Sequence, residues 1–143
     1  MTTIETPATA EAEPERASFS LTIPVFYTDL LTNCLVGALE GGSNYWLNSY
    51  EYATPRDGFE APAYADEKFW MTGGRVKLTF DDPEDGDEAQ KTMEIGFDDL
   101  QRGAAIMAQK FGKHFGDLVA ENDDAITHDV FIQCVLFEDI IYG

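Results

Sequence analysis

The apolar positions change period several times along the chain, and each change marks an element. Leu31, Leu35 and Leu39 recur every four residues with Cys34 and Ala38 beside them, which predicts a helix over 28–40. Thr28 is placed to cap it, Asp29 favours its positive end, and Gly41-Gly42 would stop it in a left-handed turn. The stretch SNYWLNSYEY that follows alternates and is aromatic, which predicts a strand. On a strand Tyr45 and Trp46 point to opposite faces, so one ring is expected in the core and the other in solvent. Residues 54–66 hold Pro and Gly without a period and read as a loop, and KFWMTGG reads as a short strand. RVKLTF (75–80) and KTMEIGF (91–97) each place alternate apolar residues on one face, the signature of an antiparallel hairpin joined through 81–90. A second helix, capped by Asp98 or Asp99, runs to Phe111 with Leu100, Ala104, Met107 and Phe111 as its stripe, and 115–119 can form a short helix. The last helix, 128–141 behind a Thr127 cap, is apolar over nearly its whole circumference and is expected to be central.

These elements predict an α+β fold. A small antiparallel sheet of three or four strands packs against three helices, with the C-terminal helix in the middle. Residues 1–17, rich in Ala, Glu, Thr and Pro, lack the apolar side chains that would offset ordering and read as a disordered acidic tail. Residues 18–143 then form one globular domain.

Composition narrows the possible partners. Hydrophobic residues are 44% of the 143, enough for a core, while 9 Lys+Arg against 27 Asp+Glu give a net charge of −18. That charge argues against direct nucleic-acid binding and against docking on an anionic membrane. No apolar run approaches the roughly 20 residues of a membrane-spanning helix. The polar, acidic N-terminus resembles neither a signal peptide nor a transit peptide. Cys34 and Cys134 lie in apolar helical patterns and read as reduced core thiols of a cytoplasmic protein.

The stretch Gly41-Gly42-Ser43-Asn44-Tyr45-Trp46 concentrates the most chemistry. Two glycines permit close backbone approach, Ser43 and Asn44 supply hydrogen bonds, and Tyr45, Trp46 and Tyr50 supply faces on which a base could stack. The competing reading is a helix stop followed by an aromatic strand. A second candidate is the acidic run holding Asp81, Asp82, Glu84, Asp85, Asp87 and Glu88. It is either a solvated hairpin tip or a protein-binding imitation of a phosphate backbone. Glu121, Asp123, Asp124 and Asp129 around His128 could suit a hard cation, but they lack an EF-hand spacing, and the same acids suit helix capping. No zinc spacing, nucleophile elbow or P-loop is present, so no metal, cofactor or catalytic residue is assigned.

Two stretches, ALEGGSNYW (38–46) and AENDDAITHDVFIQCVLFEDIIYG (120–143), together with DDLQRGAAIMAQKF (98–111), resemble a family of small, largely uncharacterised phage and prophage proteins. The resemblance implies a bacterial cytoplasmic setting and an accessory protein that counteracts host defence. Its ligand would be a nucleotide-like molecule or a host defence protein, bound at 41–50 without enzymatic turnover. The alternatives are an acidic DNA mimic that inhibits a nucleic-acid-binding defence protein, and a small enzyme acting on a nucleotide through His128 and its acidic neighbours.

Overall fold

A computed structural model describes residues 2–5, 20–23, 28–84 and 86–143. Two strands, β1 (Thr2–Glu5) and β2 (Ser20–Ile23), pair antiparallel, followed by helix α1 (Thr28–Gly37). After strand β3 (Leu47–Tyr52) come the short helix α2 (Glu67–Met71) and strands β4 (Val76–Asp82) and β5 (Gly86–Ile95). Helices α3 (Phe97–Lys110), α4 (Gly112–Val119) and α5 (Ala125–Phe137) complete the chain. The main sheet is antiparallel in the order β3-β4-β5. The fold is α+β, as the periodicities predict.

The sheet buries the face its alternation selects. Val76, Leu78, Phe80 and Ile95 are buried, and cross-strand register pairs Tyr50 with Leu78 and Leu78 with Met93. Helix α5 fills the centre: every residue from Val130 to Val135 is buried, including Gln133. An all-round apolar helix has no solvent face to offer, so α1, α3 and α4 pack around it. The crossing of α3 over α5 depends on Gly103. A Cβ there would lie 2.3 Å from Val135 Cγ2 and 2.9 Å from the Val135 Cα, and backbone cannot move aside as a side chain can. Gly103→Ala is therefore expected to destabilise the fold by about 1–3 kcal/mol through overpacking, despite the better helix propensity of Ala. A urea-denaturation midpoint equal to or above that of the parent would contradict this.

Several sequence expectations need correction. Thr2–Glu5, expected in a disordered tail, form a strand against Ser20–Ile23, and β1 lies beside α3; residues 6–19 lie outside the described residues. KFWMTGG is helical rather than extended: Asp66 caps α2 by accepting from Lys68 N at 3.0 Å, which turns Phe69 and Trp70 together into the core. The helices number five among the described residues. Asp99 sits in the third position of α3 rather than capping it, and its carboxylate reaches back to Gly96 N at 2.8 Å. The cap of α5 is Asp124, which accepts from Thr127 N at 3.0 Å while Thr127 Oγ1 accepts from Asp124 N at 3.2 Å. That helix ends at Phe137, and Glu138 takes a left-handed conformation at φ 57°. The hairpin strands extend further toward their tip than the alternation indicates, leaving only residues 83–85 as the connection.

Candidate functional site

The polar centre of the molecule is one carboxylate on α5. Asp129 is 8% exposed, and four side chains converge on it. Ser43 Oγ and Trp46 Nε1 each donate to Oδ1 at 2.7 Å. The Tyr45 hydroxyl and, at 3.0 Å, Gln133 Nε2 donate to Oδ2. Charged acceptors make stronger hydrogen bonds than neutral ones, and burial removes competing water, so this cluster fixes the loop to the helix.

The loop is shaped to reach that carboxylate. After α1 the chain widens into a single π-type turn over Ala38–Gly42, with Ser43 N donating to Ala38 O at 3.1 Å. Gly41 is extended at φ 175°, so the expected left-handed helix stop does not form. Gly42 serves close approach: a Cβ there would lie 2.8 Å from the Ala125 carbonyl oxygen at the start of α5. Residues 43–46 form a turn, not the first half of a strand, and the Trp46 and Leu47 amides both donate back to Ser43 O. Trp46 is consequently buried and Tyr45 is 56% exposed. One ring inside and one outside matches the expectation, but a turn rather than strand alternation separates them.

Gln133, one helical turn beyond Asp129, extends the cluster to the C-terminal segment. Its amide oxygen accepts from Ile141 N at 2.7 Å and Tyr142 N at 2.8 Å, and its Nε2 donates to Tyr142 O at 3.1 Å. This places the Tyr142 ring flat on Trp46, centroids 5.2 Å apart and 8° from parallel, and lets the Tyr142 hydroxyl donate to Asp81 O at 2.8 Å. Phe80 and Phe137 close around the indole at 6.2 and 5.4 Å.

Of the residues read from sequence as a ligand loop, Ser43 and Trp46 are thus enclosed, and their donors are already used. Gly41, Asn44 and the Tyr45 ring remain at the surface, and Gly42 is half-buried. A cleft of about 440 Å³ opens beside Tyr45, walled by Ile126, Val130 and Ile140, with His114 on its border and Asp129 at its base. Tyr45 keeps its proton unusually well: burial of the hydroxyl and then the bond to Asp129 push its pKa up to about 12. A raised folded-state pKa contributes stability that is present below the ordinary value of 10 and is lost as pH climbs through about 12. Tyr45→Phe should therefore flatten the alkaline loss of stability, measured as unfolding free energy between neutral pH and the alkaline limit. An unchanged slope would mean that the other groups raised first by burial, Tyr64, Tyr142 and the two cysteines, carry it.

Tyr50 lies elsewhere, on β3, at the head of an aromatic cluster. It is 43% exposed and meets Tyr52 and Tyr64 edge-on at 5.8 and 5.0 Å. Arg56 stacks over Tyr52 at 5.1 Å. Tyr52, Arg56, Phe59 and Pro62 line a cleft of about 670 Å³ that begins at Tyr50. The structure therefore places Tyr50 apart from the Tyr45 and Trp46 rings, while Asn44 of the turn shares with it a cleft of about 320 Å³ that Leu39 and Leu47 also line.

The acidic run is also divided. Asp82 is buried, accepts from Glu84 N at 2.9 Å and pairs with Lys91 at 3.6 Å. Asp81 accepts from Asn48 Nδ2 at 2.9 Å, and Glu84 is exposed. Asp87 and Glu88 belong to β5, and Asp85 lies outside the described residues. A uniformly solvated loop is not what forms here: Asp82 holds the hairpin together, and Asp81 ties β4 to β3.

The groups weighed for catalysis or metal binding disperse. Asp123 pairs with His128 at 2.5 Å, Asp124 caps α5 and Asp129 turns inward, so no group of three or more ligating side chains assembles among the described residues. Both cysteines are free and buried; burial raises the Cys34 thiol well above its ordinary value and pushes Cys134 up to about 12, so neither offers a thiolate. No described helix is long and apolar enough to cross a membrane.

A scan against protein-family models gives no match, and searches of curated proteins and of solved structures give none either.

Proposed function

We propose that the protein acts by binding a partner protein, and that its recognition surface is the Tyr50 end of β3 with the adjoining 56–63 loop. The observation that supports this is the cleft at Tyr50: it is aromatic, open, and bordered by exposed acids. Asp57 lines it beside Arg56, and the exposed Glu60 stands between the lining residues Phe59 and Ala61; Glu51, the residue after Tyr50, is exposed on the other face of β3. Such a rim repels the phosphates of a nucleotide and attracts a basic surface. This favours the protein-partner branch of the expected function over the nucleotide-like ligand. In the setting that the sequence resemblance implies, the partner is a host defence protein whose own substrate is a nucleic acid.

The test is affinity purification of tagged protein from bacterial cells after crosslinking, with the parent chain and Tyr50→Ala side by side. A protein partner is expected to come down with the parent, to elute with added salt, and to weaken by about 1–3 kcal/mol with the variant, the range of an exposed aromatic anchor. Recovery of a small molecule with no protein would overturn the reading. A DNA mimic acting through the hairpin tip is the second reading, supported by the net charge of −18 and the exposed Glu84. It predicts the opposite sensitivity: loss with Glu84→Gln and indifference to Tyr50→Ala.

A further inference from the structure

The outer margin of the main sheet beside Tyr50 has a hydrogen-bonding pattern of its own. In the order β3-β4-β5 the first strand is an edge, and no strand pairs with its outer side among the described residues. Ala53 N donates to Arg75 O at 3.0 Å, which makes 53 and 75 a hydrogen-bonded pair. Antiparallel pairs alternate, and the register matches Glu51 with Lys77 and Ser49 with Thr79, so those residues also bond inward to β4. Tyr50 and Tyr52 occupy the intervening positions, and their N–H and C=O groups turn outward. A register shift between Leu47 and Ser49 ends that alternation, and the Leu47 amide donates to Ser43 O at 2.8 Å instead of to β4.

Clefts flank this edge at both ends and meet at Tyr50. One of about 320 Å³ lies along Leu39, Asn44, Leu47 and Asn48; the other, of about 670 Å³, leads over Tyr52 to Phe59 and Pro62. An open edge between two depressions has the shape of a track for extended chain. Natural sheets usually block such an edge with Lys, Pro or a covering segment. Here β3 carries no Lys and no Pro, and its one charge is Glu51.

We infer that the occupant of this track is an extended segment of the partner protein in which basic and apolar residues alternate, added to β3 as a further strand. The inference rests on the binding reading above and specifies its partner. Main-chain bonds to Tyr50 and Tyr52 supply the pairing, and side chains of the added strand alternate between the two sheet faces. On the helix-side face its apolar residues meet the exposed edge of Tyr50 and the aromatic cleft. On the opposite face its basic residues meet Glu51, and its ends run toward the exposed Asp57, Glu60 and Glu67. A second copy of this chain is disfavoured as the occupant, because two molecules of charge −18 repel and neither brings a Lys or Arg on its own β3.

The probe is an eight-residue peptide of alternating Arg and Val, titrated into the full chain and followed by amide chemical shifts. Controls are the same peptide N-methylated at every backbone amide, and the Glu51→Lys variant. Expected are shifts centred on the Tyr50 and Tyr52 amides, with binding weaker by about tenfold or more for the N-methylated peptide, because strand pairing needs those donors. Glu51→Lys should weaken binding of the Arg-Val peptide, with the melting curve lowered only by the small loss that a lysine opposite Lys77 brings. Equal binding of both peptides at the Tyr50 cleft would overturn strand addition and leave the binding reading standing. No shift at the cleft with either peptide would overturn both. Sedimentation showing a dimer that Glu51→Lys abolishes would assign the edge to a second copy and overturn the basic-segment occupant.

Discussion

Replacing Asp129 with Ala is expected to destabilise the protein by about 2–6 kcal/mol. The reason lies in what the substitution leaves behind. Ser43 is completely buried and so is the Trp46 indole; each donates only to Asp129 among the contacts identified. Without the carboxylate both donors stay in a dry environment with nothing to accept, and each such group costs about 1–3 kcal/mol. Gln133 retains its bond to Tyr142 O, and Tyr45 can turn its hydroxyl to water, so those two contribute less. Asp129→Asn separates charge from geometry. The amide oxygen still accepts, but its NH₂ meets donors from Gln133 and Tyr45, so the loss should fall between parent and Asp129→Ala. The check is urea unfolding followed by circular dichroism for both variants. Asp129→Ala within about 0.5 kcal/mol of the parent, the range of an ordinary surface change, would show that the cluster is not what ties the loop to α5.

Trp46→Ala should cost about 3–5 kcal/mol, the range for removing a large buried aromatic side chain. The indole is completely enclosed, is stacked by Tyr142 and is flanked by Phe80 and Phe137, so its removal opens a cavity between the sheet, α5 and the C-terminal segment. The adjacent Tyr45→Ala should cost much less, because that ring is more than half exposed and gives up one hydrogen bond. Thermal melts of the two variants side by side make the test. Similar losses for both would mean that the turn, rather than burial of one ring, sets the stability there. Proteolytic sensitivity of residues 138–143 adds a second readout: Trp46→Ala removes the surface on which Tyr142 stacks and should loosen that segment, whereas Tyr45→Ala should do so only weakly.

The Ser43–Trp46 turn also explains why a motif rich in binding chemistry need not face a ligand. Glycine, a hydroxyl and two large aromatics in six residues are what a recognition loop requires. They are equally what a chain requires to leave a helix, pass close to a second helix and bury an indole with its donor satisfied. Sequence alone does not distinguish these uses, since both need the same residue types. What decides is whether an acceptor waits inside, and Asp129 lies more than eighty positions further along the chain.

That acceptor did leave a trace in the sequence. Asp129 and Gln133 are four residues apart in the stretch 129–137 of α5, whose other residues are all apolar, so they share one face and both must be buried if the helix is central. A buried Asp and Gln demand partners, and the pair marked the polar centre of the fold without naming its donors. The hydrophobic periods by themselves determined the α+β class, the paired faces of β4 and β5, the stripe of α3 and the central place of α5, because burying those faces leaves few arrangements open. Local pattern could not decide α2, where Phe69 and Trp70 look extended until an Asp66 cap and a three-dimensional neighbourhood favour one helical turn. Nor could it decide that Tyr45 and Trp46 sit in a turn, that Asp82 of the acidic run serves the hairpin, or that Tyr50 lies on an open edge. Those outcomes depend on contacts between residues far apart in the chain, whose energies exceed local propensity and become visible only when the elements pack.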